Sequence, residues 1–268
     1  MKCEKFDVRG EGSEDYAALY TYIQAPSDDL AIDTRPLVIV CPGGAYAFTS
    51  DREAEPVALA LAAMGCHAAV LRYSVAPAVY PAALYELARA VALVREHAAA
   101  WRVAINHIAV MGFSAGGHLA AEYCMSWSSL APDAEVLRPN AMILGYPVIT
   151  SGGYAHEDSF RNLLGERYGS EKAAHSLELQ VNENVPRTFL WNTFADGAVP
   201  VQNSLLLAAA LAEHHIPTEY HLYERGAHGL SLANRLTMSA AGGGVELSCE
   251  NWIGLLKTWL DNWDKPVE

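Results

Sequence analysis

One serine in the sequence lies in a pattern that is typical of nucleophilic catalysis. Residues 112–116, Gly-Phe-Ser-Ala-Gly, fit G-x-S-x-G and follow a short apolar run, residues 108–111. A helical pattern begins soon after, at His118. A serine on a sharp turn from strand to helix needs small neighbours, and the turn exposes its hydroxyl. Five residues match by chance in many proteins, but this strand-and-helix context makes Ser114 the candidate nucleophile.

A nucleophilic serine needs a base, and the base needs an acid that orients it. In folds that carry such a turn, the three residues occur along the chain in the order serine, acid, histidine. Asp196 follows a predicted strand at residues 188–191, and His228 follows another at residues 220–223. Loops at strand ends carry the chemistry of open α/β sheets. We therefore predict His228 as the general base and Asp196 as its orienting acid.

A glycine-rich segment near the start of the chain is the candidate oxyanion loop, defined here as residues 41–48. It follows the apolar run 37–41, where esterases place such a loop. We predict that the backbone N–H groups of Gly44 and Ala45, with that of Ala115, bind a developing oxyanion. The same loop is expected to border the substrate through Gly43, Tyr46 and Phe48. The alternative, an ordinary glycine-rich turn, would be favoured if the segment stood alone.

Most other titratable residues are interpreted as structural. The chain has 10 histidines, and any one of them is by default a surface or packing residue. His118, one turn into the predicted helix, is expected to pack or cap nearby. Several acidic residues, Glu53 among them, precede the serine and are out of order for this chemistry.

Short β-rich runs alternate with longer helical patterns. This alternation predicts an α/β fold with a mostly parallel central sheet and helices on both faces. We expect a single domain over residues 1–268 with a short insertion (residues 151–184) that forms a cap or lid. The predicted strands are residues 37–41, 68–73, 108–111, 141–145, 188–191 and 220–223, and the predicted helices are residues 54–64, 82–100, 118–125, 204–214 and 252–263.

Charge and composition limit the classes of partner that this chain can be expected to bind. A formal net charge of −13 argues against binding to nucleic acid or to an anionic membrane, since both need basic patches. Five scattered cysteines without a CxxC pair favour reduced thiols, and no secretory signal is visible. We therefore expect a cytoplasmic protein, with homo-oligomerisation left open.

Several separated blocks together resemble one family, the bacterial acetyl-esterase and acetylxylan-esterase-like branch of the α/β-hydrolases. The resemblance runs from about Leu37 to Leu232. Its blocks are residues 41–46, 52–58, 110–120, 145–150, 156–160, 163–165, 199–200, 203–205 and 228–230. It implies the roles argued above, and hydrolysis of acetylated sugars or other short acyl esters without metal or organic cofactor.

The chain departs from this family at three points. Ala45 stands where the oxyanion loop usually has a third glycine, Ser74 where an arginine is usual, and Ala195 where a second aspartate is usual. The last change leaves Asp196 as the acid. Two rival functions remain: a serine peptidase of the prolyl-peptidase type, which usually carries a further gating domain, and a non-catalytic hydrolase-fold binding protein, which would be expected to lose one of the three residues.

Overall fold

A computed structural model describes residues 1–265 and contains an eight-stranded sheet in the order β1-β2-β4-β3-β5-β6-β7-β8. The strands β3 to β8 are parallel, and β1 and β2 add an antiparallel edge beside β4. The strands are β1 Lys2–Asp7, β2 Ala18–Ile23, β3 Arg35–Cys41, β4 His67–Arg72, β5 Val103–Phe113, β6 Ala141–Gly145, β7 Arg187–Thr193 and β8 Thr218–Tyr223. The helices are α1 Glu55–Ala63, α2 Ala82–Glu96, α3 Ala98–Trp101, α4 Ser114–Ser126, α5 Glu157–Leu164, α6 Tyr168–Glu171, α7 Gln202–Glu213 and α8 Trp252–Asp261.

The central strands are apolar on both faces because helices cover both. In β3, Leu37 and Ile39 belong to one buried cluster and Val38 and Val40 to the other. Helices α2, α4 and α7 contribute to the first cluster, whereas α1 and α8 contribute to the second. A strand buried in this way appears in the sequence as a continuous apolar run, which is the pattern that residues 37–41 show.

The predicted α/β fold with a mostly parallel sheet is confirmed, and the structure adds detail that the sequence patterns missed. Strands β1 and β2 were not predicted; all six side chains of β1 are exposed or half-buried, so its sequence shows no strong apolar pattern. The single predicted helix 82–100 is divided at His97. The ring of His97 stacks on Trp101 at 4.6 Å, and its Nδ1 lies 3.0 Å from the Leu93 carbonyl oxygen.

The insertion is built from short helices that pack against the first buried cluster. Leu163, Leu164 and Leu177 are buried there with side chains of α2 and α4. The Tyr80 N–H donates to the Leu163 carbonyl oxygen at 2.7 Å, and the Leu177 N–H to that of Ile149 at 3.1 Å. The insertion therefore packs against the segments that follow β4 and β6. Within residues 1–265, no helix is both long and apolar enough to cross a membrane.

Candidate active site

Ser114 lies at the junction of β5 and α4, where the chain turns sharply. Its φ of 53° is in the left-handed region that non-glycine residues rarely adopt. A Cβ atom on Gly112 would collide with the Gly116 carbonyl, and one on Gly116 with the Cys41 carbonyl. The glycines thus allow strand and helix to approach each other closely. The strained turn presents the Ser114 hydroxyl at the amino-terminal end of α4, where the helix dipole favours negative charge.

Three side chains from separate loops form one hydrogen-bonded chain. His228 Nε2 lies 2.8 Å from Ser114 Oγ, and His228 Nδ1 lies 2.6 Å from Asp196 Oδ2. The other carboxylate oxygen, Asp196 Oδ1, accepts the N–H groups of Ala198 and Val199, each at 2.9 Å. Asp196 is 7% exposed, so its orientation is held by buried bonds. In this arrangement the imidazole can take the serine proton while the carboxylate stabilises the imidazolium.

The candidate oxyanion loop lies directly against Ser114. A Cβ built on Gly43 would be 2.9 Å from Ser114 Cβ. Among residues 1–265, the N–H groups of Gly44 and Ala45 donate to no protein acceptor, while the Gly44 carbonyl accepts from Ala47 and Phe48. The Ala115 N–H is in the first turn of α4, where intrahelical partners are lacking. All three predicted donors are therefore unused.

The three predicted substrate contacts of this loop differ in their exposure and in their hydrogen bonds. Phe48 is 60% exposed, and its ring lies against Gly44. Gly43 does not offer its N–H to a ligand, because that group donates to Glu53 Oε2 at 2.8 Å. Tyr46 is 2% exposed, and its hydroxyl lies 3.0 Å from His118 Nδ1. The Tyr46 side chain therefore faces the core behind the loop and presents no surface to substrate.

His118 is part of a buried polar network between α4 and the insertion. Its Nε2 lies 3.2 Å from the His175 carbonyl oxygen, and His175 Nδ1 lies 2.7 Å from Glu122 Oε1. Burial lowers the pKa of His118 despite the nearby Glu122 carboxylate. The expectation that His118 packs nearby agrees with this position, but its role as a link between the oxyanion loop and the insertion was not predicted.

One residue of the insertion contacts the candidate oxyanion loop, and a second lies within electrostatic reach of His228. The Asn162 side-chain N–H donates to the Ala45 carbonyl oxygen at 2.9 Å and so holds the oxyanion loop from outside. His156 is half-buried; burial first, and then the charge of His228, lower its pKa. Its Nδ1 lies 2.9 Å from Ser159 Oγ. Among residues 1–265, no group of three or more His, Cys, Asp or Glu side chains could hold a metal ion.

Two family models and several solved structures match this chain. The family model described as BD-FAE matches residues 23–138, and the prolyl oligopeptidase family model matches residues 85–239. A solved acetyl ester-xyloside bifunctional hydrolase from Caldicellulosiruptor lactoaceticus is 37% identical with a TM-score of 0.80, covering 92% of this chain and 88% of that one. This chain belongs to the α/β-hydrolase esterase family. The fold and the family predicted from the sequence are therefore both confirmed.

Curated relatives of this hydrolase are longer proteins. Endo-1,4-beta-xylanase B of Butyrivibrio fibrisolvens is 36% identical over 236 residues, which are 84% of this chain and 36% of that protein. Acetylxylan esterase of Xylanibacter ruminicola is 28% identical over 199 residues, which are 72% of this chain and 40% of that protein. The chain therefore spans less than half the length of these two relatives.

Proposed function

We propose that this hydrolase removes acetyl and other short acyl groups from esters, with acetylated sugars as its substrate class. The observation that carries the proposal is the hydrogen-bonded chain from Ser114 through His228 to Asp196, next to the unused N–H groups of the oxyanion loop. The relatives supply the substrate class, since two are named for acetyl ester or acetylxylan hydrolysis. The exposed Phe48 ring at the end of the oxyanion loop offers an apolar surface for a sugar ring.

The proposed reaction has two acyl-transfer steps. Ser114 Oγ attacks the ester carbonyl carbon while His228 Nε2 takes its proton, and the N–H groups of Gly44, Ala45 and Ala115 bind the oxyanion. The C–O bond then breaks, and the alcohol leaves with the proton from His228. Water attacks the acyl-enzyme by the same route, releasing the acid and free Ser114.

The first test is a Ser114→Ala variant assayed with p-nitrophenyl acetate. We expect a folded protein whose kcat is lower by about three orders of magnitude or more, because the nucleophile is gone. The matched control is Ser126→Ala, which makes the same substitution at the far end of the same helix and should leave kcat near the wild-type value. Near-normal turnover by a clean Ser114→Ala preparation would rule out the proposed mechanism.

The dependence of kcat/KM on acyl chain length tests the proposal that the substrates carry short acyl groups. Ala45 has a φ of 54°, a conformation that glycine adopts more easily, and its methyl group lies on the loop expected to border the acyl chain. We expect kcat/KM to fall steeply from acetyl to decanoyl p-nitrophenyl esters. Ala45→Gly should reduce that fall by making room, since each methylene that can be buried contributes about 0.8 kcal/mol. A wild-type optimum at octanoyl or longer would contradict the short-acyl proposal.

Peptide-bond hydrolysis is the second candidate, because the prolyl oligopeptidase family model matches residues 85–239. The same three side chains could cleave an amide. Kinetics with acetylated xylo-oligosaccharides and with aminoacyl p-nitroanilides, at equal concentrations of one preparation, distinguish the two. A higher kcat/KM for the anilides would favour the peptidase, and a higher value for the acetylated sugars would favour the esterase.

A further inference from the structure

A buried carboxylate outside the three proposed catalytic residues joins the loops of the site. Glu53 is 4% exposed and lies in a short turn before α1. Its Oε2 accepts the Gly43 N–H at 2.8 Å, and its Oε1 accepts the Tyr146 hydroxyl at 2.6 Å. A buried charge is costly unless hydrogen bonds compensate it. Two donors from two different loops therefore converge on this one side chain.

Tyr146 extends the connection to the loop that carries the base. Its hydroxyl oxygen accepts the N–H of Ser231 at 2.8 Å. Ser231 lies three residues beyond His228 on the same loop. Its ring meets the His228 ring edge-to-face, with centroids 5.1 Å apart. Burial, and then the charge of Glu53, raise the pKa of Tyr146 well above its usual value, so the hydroxyl stays a donor.

We infer that Glu53 is a positioning residue for the proposed ester hydrolysis, and that it sets the direction of the oxyanion loop relative to His228 through Gly43 and Tyr146. Because the Gly43 N–H points at Glu53, it is turned away from the substrate. The following N–H groups, those of Gly44 and Ala45, remain unused beside Ser114. Oxyanion stabilisation requires donors that are aligned before the reaction, and this bond aligns them.

Two variants of Glu53 remove one or both of its acceptor oxygens. Glu53→Gln keeps one acceptor oxygen for the Gly43 N–H, but its NH2 group cannot accept from the Tyr146 hydroxyl, so kcat should fall by only about tenfold. Glu53→Leu leaves both donors unpaired, and kcat for p-nitrophenyl acetate should fall by about 100-fold or more, comparable to the loss of an oxyanion donor. KM should stay within about threefold, because the loop acts on the transition state.

A second readout distinguishes positioning from general structural damage. A trifluoromethyl ketone adds to Ser114 Oγ and forms a tetrahedral oxyanion that mimics the transition state. Its inhibition constant should rise in Glu53→Leu by the same factor by which kcat/KM falls. The matched controls are Glu55→Gln and Glu55→Leu, which make the same changes at an exposed position two residues away.

The kinetic results decide whether Glu53 is a positioning residue. The inference is overturned if folded Glu53→Leu keeps a kcat within threefold of Glu55→Leu, or if KM rises while kcat and ketone inhibition are unchanged. Where Glu53→Leu does not fold, Tyr146→Phe decides: we expect about a tenfold loss of kcat with a matching rise in the inhibition constant, and no change overturns the inference. Activity that survives Ser114→Ala would instead contradict the proposed function itself.

Discussion

Asp196 shows how a single side chain can be held in one orientation. One carboxylate oxygen accepts two backbone N–H groups, and the other faces His228 Nδ1. The carboxylate therefore has no freedom to turn without breaking buried bonds. Because Nδ1 must then carry a proton, Nε2 is left free to accept the proton of Ser114.

The Asp196→Asn substitution should disturb this proton arrangement while the protein stays folded. An amide has only one acceptor oxygen, and the N–H groups of Ala198 and Val199 would retain it. The amide NH2 group would then face Nδ1 and favour the wrong tautomer of His228. We expect kcat to fall by about a thousandfold or more in steady-state ester hydrolysis.

Glu219→Gln is the control for this prediction, because Glu219 pairs with His221 at 2.9 Å within β8, away from Asp196 and His228 in the hydrogen-bonded chain. It should leave kcat near the wild-type value. If Asp196→Asn remained active while Glu219→Gln abolished turnover, the proposed acid would be wrong.

At the scale of elements, the close packing of β5 against α4 places Ser114, the proposed nucleophile. Gly112 and Gly116 have no room for a Cβ atom, because backbone carbonyl groups lie in its path. Gly254 in α8 is the opposite case, with open space where a Cβ would be. The two kinds of glycine therefore predict opposite effects of the same substitution.

Gly116→Ala should destabilise the protein severely, by about 3 kcal/mol or more in the free energy of unfolding, because the backbone of β3 cannot yield. Gly254→Ala should stabilise it by about 0.5–1 kcal/mol, since alanine is the better helix former. Chemical denaturation of both variants measures the difference. Similar free energies of unfolding for the two would show that the strand and helix are less closely packed than described.

At the scale of the whole molecule, one buried histidine outside the loops of the proposed active site links stability to pH. His67 begins β4, is 1% exposed and accepts the Gln24 N–H through Nδ1 at 3.1 Å. Burial, and then the charge of Arg35, lower its pKa from the usual 6.5. The folded protein therefore keeps His67 neutral at a pH where the unfolded chain takes up a proton.

The contribution of His67 to stability should therefore be fully present above about pH 6.5 and decline as the pH falls below it. His67→Asn keeps an acceptor near the position of Nδ1 but cannot titrate, so its stability should decline less steeply between pH 7.5 and 5.5. One such group contributes at most about 1.4 kcal/mol per pH unit. Chemical denaturation of the wild type and of His67→Asn at each pH tests this. The contributions of the other titrating groups cancel in the difference between the two free energies of unfolding. Parallel pH profiles would contradict it.

The sequence by itself determined the features that depend on local pattern and chain order. Apolar runs and helical spacing predicted the parallel strands and the helices beside them, because burial on both faces leaves a clear periodicity. The strained turn at Ser114 was recognisable because only small residues permit it. Asp196 and His228 could be chosen because they follow strands in the order that this fold uses.

Only the tertiary structure decided which residues support that site. Glu53 was set aside because it precedes the serine, yet it lies behind the oxyanion loop and contacts Tyr146, 93 positions away. Tyr46 was expected at the substrate but is buried against His118. A hydrogen bond between distant side chains leaves no periodic signal in a single sequence, since its partners are brought together by strand order and packing rather than by spacing.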